Sequence, residues 1–175
     1  SRSLMKISLF LLFCCFAINA KASYIFIPMD ESQSNHLKAY GIAYYAIERD
    51  VKVDWLLNYV GGSFMIKHHT QIENECNIRG VSYNIIADAQ STQILQSIAS
   101  PEVNQDVVRL EKAPKIAIYS PKNKQPWDDA VTMALTYAEI PYEVVYDEEV
   151  LTNLLPMYDW LHLHHEDFTG QYGKF

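Results

Sequence analysis

The chain has 175 residues, of which 49% are hydrophobic and 20% are charged, and its formal net charge at pH 7 is −7. This length and composition fit one globular domain, or one domain and part of another. The acidic balance argues against contact with a phosphate backbone, so we expect no nucleic-acid partner.

The start of the chain has the pattern of a secretory leader. Met5 is the expected initiator, and the apolar run over residues 7–18 is too short to span a bilayer. Ala20 and Ala22 place small residues at the positions that a signal peptidase reads, which predicts cleavage after Ala22. We therefore expect residues 1–22 to be removed and the protein to be exported, periplasmic or secreted, with no stable membrane insertion afterwards.

The three cysteines divide between this leader and the mature chain. Cys14 and Cys15 lie in the leader, and a lipid anchor through either is the less favoured alternative, because the residues before them are not the small ones that a lipobox needs. Cys76 remains alone, so no internal disulfide is expected. We predict that Cys76 is a buried small hydrophobic residue.

Strand and helix signals alternate along the rest of the chain. Apolar, β-branched runs predict strands, and apolar residues three or four positions apart predict helices. The predicted strands cover residues 24–28, 53–58, 81–86, 115–119, 142–146 and 160–163, with a short return strand at 64–66. The first predicted helix ends near residue 49, and the others cover residues 70–79, 91–100, 127–138 and 148–155. Residues 102–112 are polar and are interpreted as a linker.

This alternation predicts an α/β fold with a mainly parallel, flavodoxin-like sheet and helices on both faces. We expect one α/β unit over residues 23–112 and a second over residues 113–175. The second would have only three strands, so we expect it to be C-terminally incomplete, with more chain following in the natural protein. One stripe of the first helix is expected to face the core. Its residues are Leu37, Tyr40, Tyr44 and Ile47.

The densest cluster of chemically competent side chains lies at the end of the last predicted strand. His162 and His164 share one face of that strand, and an acidic loop follows. Imidazole and carboxylate groups together suit acid–base chemistry near neutral pH. The predicted catalytic residues are His164, His165, Glu166 and Asp167. Two alternatives stay open: a His-x-His metal site, and histidines that only satisfy core hydrogen bonds.

Two further loops offer polar groups for a substrate. Asp30 and Glu31 follow the first strand, where the alternative role is a favourable interaction with a helix dipole. Gly61, Gly62 and Ser63 form a turn whose amides suit an anion or oxyanion, the alternative being a simple hairpin turn. We predict that both loops bind substrate at the carboxyl ends of the strands. We assign no metal ligand and no cofactor.

Several segments carry a resemblance to known proteins. Residues 115–163, in the order strand, helix, strand, strand, look like the opening of a class I glutamine amidotransferase-like domain. More specific motifs run through the mature chain, residues 23–175. They are Phe-Ile-Pro-Met-Asp-Glu-Ser-Gln at 26–33, His-Leu-Lys-Ala-Tyr-Gly at 36–41, Trp-Leu-Leu-Asn-Tyr-Val-Gly-Gly-Ser-Phe at 55–64 and His-His-Glu-Asp-Phe-Thr-Gly-Gln-Tyr-Gly-Lys-Phe at 164–175. In these the chain resembles an exported bacterial family whose members often carry the name asparagine synthetase B.

The resemblance implies an exported amidotransferase-like protein, a hydrolase or amide-processing enzyme if it is active, whose nucleophile comes from a later segment. Its expected partner is a small molecule, either an amide or a glycan. One alternative is a non-catalytic module that binds a carbohydrate or a peptide. Another is a metal-dependent hydrolase that uses His162 and His164. The sequence predicts no oligomeric state.

Overall fold

The computed structural model describes residues 23–120 and 130–163, which form two β-sheets, one of five strands and one of three. The strands are β1 (Ser23–Ile27), β2 (Val53–Leu57), β3 (Phe64–Lys67), β4 (Asn84–Ala87), β5 (Asp106–Leu110), β6 (Ile116–Tyr119), β7 (Glu143–Val145) and β8 (Trp160–Leu163). The helices are α1 (His36–Ile47), α2 (Thr70–Arg79), α3 (Asp88–Ile98), α4 (Ala130–Ala138) and α5 (Asp147–Leu151), with a 3₁₀ turn at Leu155–Met157.

The first sheet has the strand order β4-β1-β3-β2-β5, and every neighbouring pair is antiparallel. Its first four strands and two helices follow the ferredoxin-like βαββαβ arrangement, in which β3 lies between β1 and β2. One core cluster joins Ile25 and Ile66 to Ile42 of α1 and Ile72 of α2. A second cluster, on the opposite face, includes Ile98 of α3. Helices therefore cover both faces of this sheet.

The predicted mainly parallel sheet is wrong for the first sheet. The chain reverses through Gly61 and Gly62, so β3 returns antiparallel beside β2 and then pairs with β1 as well. The uninterrupted apolar runs that suggested parallel strands have another cause. Adjacent residues such as Ile25 and Phe26 are both buried because helices cover both faces of an antiparallel sheet.

The predicted linker at residues 102–112 is also wrong in part. β5 lies within this stretch and pairs antiparallel with β2 over its whole length, at the edge of the sheet. Its five residues include two charged side chains, and one of them, Arg109, forms a bidentate ion pair with Asp54 of β2 at 2.8 and 3.2 Å. Hydrogen bonding to β2 and this ion pair hold β5 in place, so its sequence lacks the apolar run that is typical of the central strands.

The second sheet has the order β7-β6-β8, and both neighbouring pairs are parallel. Ile116 and Ile118 of β6 pack against Leu135 of α4 in a third core cluster. The sequence-based expectation of parallel strands therefore applies to this smaller sheet alone. The two sheets fall on either side of residue 112, where the sequence places the boundary between its two units.

The predicted inner stripe of α1 is wrong for its first two members. Leu37 is 42% exposed and Tyr40 is 44% exposed, whereas Ile47 is buried. The core-facing side of α1 instead consists of smaller residues, because the helix lies close to other backbone. These residues are Ala39, Gly41, Ile42, Ala43 and Ala46.

The helix α1 also contacts the second sheet's helix α4. An ideal Cβ built on Gly41 would lie only 1.9 Å from the Ala138 carbonyl oxygen, so glycine allows this close approach. Glu139, just after α4, forms ion pairs with Lys38 of α1 and with Arg79 of α2. Apolar contact and charge together join the two parts of the chain.

Candidate functional site

The two predicted substrate-binding loops lie side by side. β1 and β2 run in the same direction with β3 between them, so the loops after both strands reach the same edge of the first sheet. The Met29 amide donates a hydrogen bond to the Val60 carbonyl oxygen at 3.0 Å. A Cβ on Gly61 would lie 2.4 Å from the Met29 carbonyl oxygen. The expected meeting of these loops is therefore present.

Within the first loop, the Asp30 carboxylate holds its own turn. It accepts hydrogen bonds from the Ser32 hydroxyl and from the Ser32 amide, at 2.5 and 3.1 Å, and these bonds hold the pKa of Asp30 below its ordinary value. The His36 ring lies 3.0 Å from the Asp30 carbonyl oxygen. Glu31 is exposed at the tip of the turn. The loop presents carboxylates to solvent, but the Asp30 carboxylate already has two donors.

Within the second loop, one carbonyl oxygen takes up three donors. The amides of Gly62 and Ser63 and the buried Ser63 hydroxyl all donate to the Tyr59 carbonyl oxygen, at 3.0, 3.0 and 2.9 Å. This geometry is that of the hairpin-turn alternative, because these donors face the turn and not a ligand. Substrate binding by the loop stays a prediction.

The four predicted catalytic residues, His164, His165, Glu166 and Asp167, lie outside the described residues. They follow directly on Leu163, the last residue of β8. Because β8 is the parallel neighbour of β6, its carboxyl end lies beside the end of β6 at Tyr119. The two carboxyl ends are therefore adjacent.

The junction of β6 and β8 is the topological switch point of the second sheet. The chain leaves β6 for β7 on one side and then crosses to β8 on the other side. Ligands of open α/β sheets bind in the crevice outside the strand carboxyl ends at such a point. Here the Tyr119 hydroxyl donates a hydrogen bond to the Asp147 carboxylate, and the buried Ser120 donates its amide to the Val145 carbonyl oxygen at 3.0 Å.

His162 pairs in register with Ile118, whose side chain packs towards α4, and its ring centroid lies 6.4 Å from that of Trp160. Within residues 23–120 and 130–163, no three His, Cys, Asp or Glu side chains come together as a metal site would require. His164 falls outside that range, so the His-x-His alternative stays a prediction.

A second polar cluster, which we did not predict from the sequence, lies at the start of α2. His68 Nε2 lies 2.6 Å from one carboxylate oxygen of Glu73, and the Tyr83 hydroxyl donates to the other at 3.1 Å. These bonds, the one from His68 first, lower the pKa of Glu73. A histidine and a glutamate on either side of a helix start were the available signal, but Tyr83 is ten residues beyond Glu73 and only the fold brings it near.

Cys76 is buried, as predicted. Burial is the main cause that raises the pKa of its thiol to about 12, so the reactive thiolate is scarce at neutral pH. Ser63 and Cys76 are thus both unsuited to act as nucleophiles in their present environments.

The chain matches no family model, no curated protein and no solved structure. None of the helices in the described part of the chain has the length and apolar character needed to cross a membrane.

Proposed function

We propose that the protein is an exported, amidotransferase-like protein that binds and hydrolyses a small amide-bearing molecule at the carboxyl ends of β6 and β8. The observation that carries the proposal is the parallel order β7-β6-β8, which makes a switch point between the two strands. The four residues that follow β8 in the sequence are two histidines and two acids. Export rests on the leader pattern at residues 1–22.

The roles follow from the chemistry of the side chains. His164 and His165 transfer protons to and from the amide nitrogen and the attacking group, and Glu166 and Asp167 orient an imidazole or the substrate. The reaction consumes water and releases ammonia and an acid. Neither Ser63 nor Cys76 supplies its nucleophile, because Ser63 donates its hydroxyl to backbone and Cys76 is a buried thiol.

Ammonia release from L-glutamine, L-asparagine and a panel of C-terminally amidated peptides tests the proposal. We expect His164→Ala and Glu166→Gln to lower kcat/KM by about 10²–10⁴-fold on the substrate that turns over, as the loss of an acid–base group does. His69→Ala is the matched control, because His69 is an exposed histidine that makes no side-chain cap bond at the start of α2. Unchanged kinetics in both test variants would contradict the proposal.

A second candidate function is a non-catalytic module that binds a carbohydrate or a peptide. The observation that favours it is the state of Ser63 and Cys76, neither of which is poised for attack. This candidate predicts saturable binding of a panel member without ammonia release, and the same binding by Glu166→Gln. Turnover that depends on His164 would exclude it.

A further inference from the structure

A cleft runs between α1, the β2–β5 side of the first sheet, and the second sheet with its helix α4. It has three adjoining parts of about 380, 210 and 460 Å³. Tyr40 and Ile140 line both the first and the second part, and Tyr44 and Ile47 line both the second and the third. Neighbouring parts therefore share a wall and adjoin along α1, and the two larger parts are of a size typical for small-molecule sites.

One stripe of α1, exposed at its start and buried at its end, runs along this cleft. Leu37 lies at one end, Tyr40 and Tyr44 follow, and Ile47 lies at the other end. At 1.5 Å per residue these ten steps of helix span about 15 Å. An elongated ligand is the shape that such a wall fits.

The middle of the cleft consists mainly of aromatic and aliphatic carbon. The Phe64 ring meets the Tyr40 ring edge-on at 5.6 Å and stacks with the Trp55 ring at 6.2 Å. The Trp55 indole N–H donates to the Gly62 carbonyl oxygen, and the Tyr44 hydroxyl donates to the Pro114 carbonyl oxygen. Because these polar groups already have partners, the surface suits a hydrocarbon body better than a sugar.

The end of the cleft beyond Ile47 is charged. Lys112 and Lys115 line it, but their ammonium groups already pair with Asp159 at 2.8 Å and with Glu143 at 3.5 Å. The charges of the two lysines are therefore already compensated within the protein.

One acid at this end, Asp50, lacks such compensation. Glu48 and Asp50 follow the C-terminus of α1, where the helix dipole already disfavours negative charge. Glu48 contacts the neighbouring Arg49 at 3.0 Å, whereas the Asp50 carboxylate has no hydrogen bond or ion pair to any described residue. Burial, together with the negative charges of Glu48 and Asp159, raises the pKa of the Tyr44 hydroxyl. This end of the cleft would gain from a cation.

We infer that the cleft binds an amphipathic amine: a hydrocarbon body lies along the stripe of α1, and a protonated amine lies beside Asp50. Charge complementarity at the acidic end identifies the head group, and the aromatic and aliphatic lining identifies the body. The acidic end lies near Ile116 and Glu143, the first residues of β6 and β7. It is therefore at the opposite strand ends from the proposed amide site, and the inference does not depend on that site.

Isothermal titration calorimetry with decylamine, hexylamine and decanoate tests the inference on the leaderless protein. Decylamine should bind, and decanoate should bind more weakly because its carboxylate meets like charge. Hexylamine should lose about threefold to fourfold in affinity for each methylene group removed. Equal affinity for decylamine and decanoate would overturn the head-group assignment, and absence of binding by decylamine would overturn the whole inference.

Two variants separate the head from the body. Asp50→Asn removes the charge and keeps a residue that tolerates the left-handed backbone found there, φ 60°. It should weaken decylamine binding about threefold to fivefold and leave decanoate no weaker. The exposed Glu102 supplies the matched control, because Glu102→Gln makes the same charge change outside the cleft. Identical effects of the two variants would contradict a specific role for Asp50.

Tyr40→Ser tests the body of the ligand. Its side chain is half-exposed, so the fold should tolerate the change, and both decylamine and decanoate should then bind more weakly. Unchanged affinity for both would contradict binding along the stripe. Affinity that falls as protein concentration rises, with a dimer in sedimentation, would show that a second copy of the chain occupies the cleft, and this would also overturn the inference.

Discussion

Gly61 and Gly80 both have backbone angles in the left-handed region, with φ of 75° and 66°. They differ in what surrounds them. A Cβ on Gly61 would meet the Met29 backbone at 2.4 Å, whereas a Cβ on Gly80 would meet no atom within 4 Å. The pair therefore separates the cost of backbone conformation from the cost of contact between two loops.

We predict that Gly61→Ala lowers the free energy of unfolding more than Gly80→Ala does. Gly80→Ala should cost about 1 kcal/mol, which is the expense of the left-handed conformation for an L-residue. Gly61→Ala adds a collision between the new Cβ and the Met29 backbone, which no rotamer change can relieve. Urea denaturation of both variants measures the difference. Equal losses would contradict the close contact between the Asp30 and Gly61 loops.

The His68–Glu73–Tyr83 cluster gives a pH-dependent prediction. The pKa of Glu73 is lowered in the folded state from its ordinary 4.5, so its bonds stabilise the fold above that value, and this stability is lost as pH falls through the lowered pKa. The wild type should therefore be more stable than Glu73→Gln at pH 7, and the gap should shrink below pH 4.5. Urea titrations at several pH values measure it.

Glu102→Gln is the control for the pH dependence of Glu73, because Glu102 is an exposed acid in a loop. Its difference from the wild type should change little over the same pH range. A gap between wild type and Glu73→Gln that stays constant down to pH 3 would contradict the bonding seen at Glu73.

At the scale of the elements, α1 shows how packing overrides local preference. Gly41 lies inside this helix, where alanine would be favoured by about 1 kcal/mol. A Cβ at this position would lie 1.9 Å from the Ala138 carbonyl oxygen, and this collision reverses the preference. Small residues on the core side of α1 serve the same close approach.

We predict that Gly41→Ala destabilises the protein by about 1–3 kcal/mol, the usual range for overpacking, despite the gain in helix propensity. The variant should also weaken the coupling between Lys38 and Glu139, because α4 must move away from α1. A double-mutant cycle with Lys38→Met and Glu139→Gln, in each Gly41 background, measures this coupling. A more stable Gly41→Ala variant would contradict the α1–α4 contact.

The elements themselves could be predicted better than their arrangement. Apolar runs identified the central strands, and the helix predicted over residues 70–79 is α2, which Gly80 ends in the left-handed conformation. Strand direction could not be predicted from those runs, because burial on both faces produces the same pattern in parallel and antiparallel sheets. The strand β5 was missed because an edge strand needs few apolar residues, and Arg109 in it is paired with Asp54.

At the scale of the whole molecule, two sheets of different type share one helical layer. The ion pairs of Glu139 with Lys38 and Arg79 link α4 to α1 and α2. The proposed amide site lies at the carboxyl ends of β6 and β8, and the amine cleft reaches the opposite strand ends. The two proposed sites therefore lie at opposite strand ends of one small sheet.

The sequence predicted part of the candidate site. We predicted that the Asp30 and Gly61 loops meet at one edge of the sheet. This prediction is correct because β1 and β2 run in the same direction. The sequence does not show which backbone donors remain free for a ligand. The turn geometry directs the amides of Gly62 and Ser63 to the Tyr59 carbonyl oxygen. The cluster at Glu73 and the cleft along α1 both depend on contacts between distant segments.

The most direct measurement of the central claim is an NMR titration of ¹⁵N-labelled protein with L-glutamine and L-asparagine. We expect chemical-shift changes at Tyr119, Ser120 and Leu163, at the carboxyl ends of β6 and β8. Changes confined to the Asp30 and Gly61 loops, or no change with either amide, would contradict it.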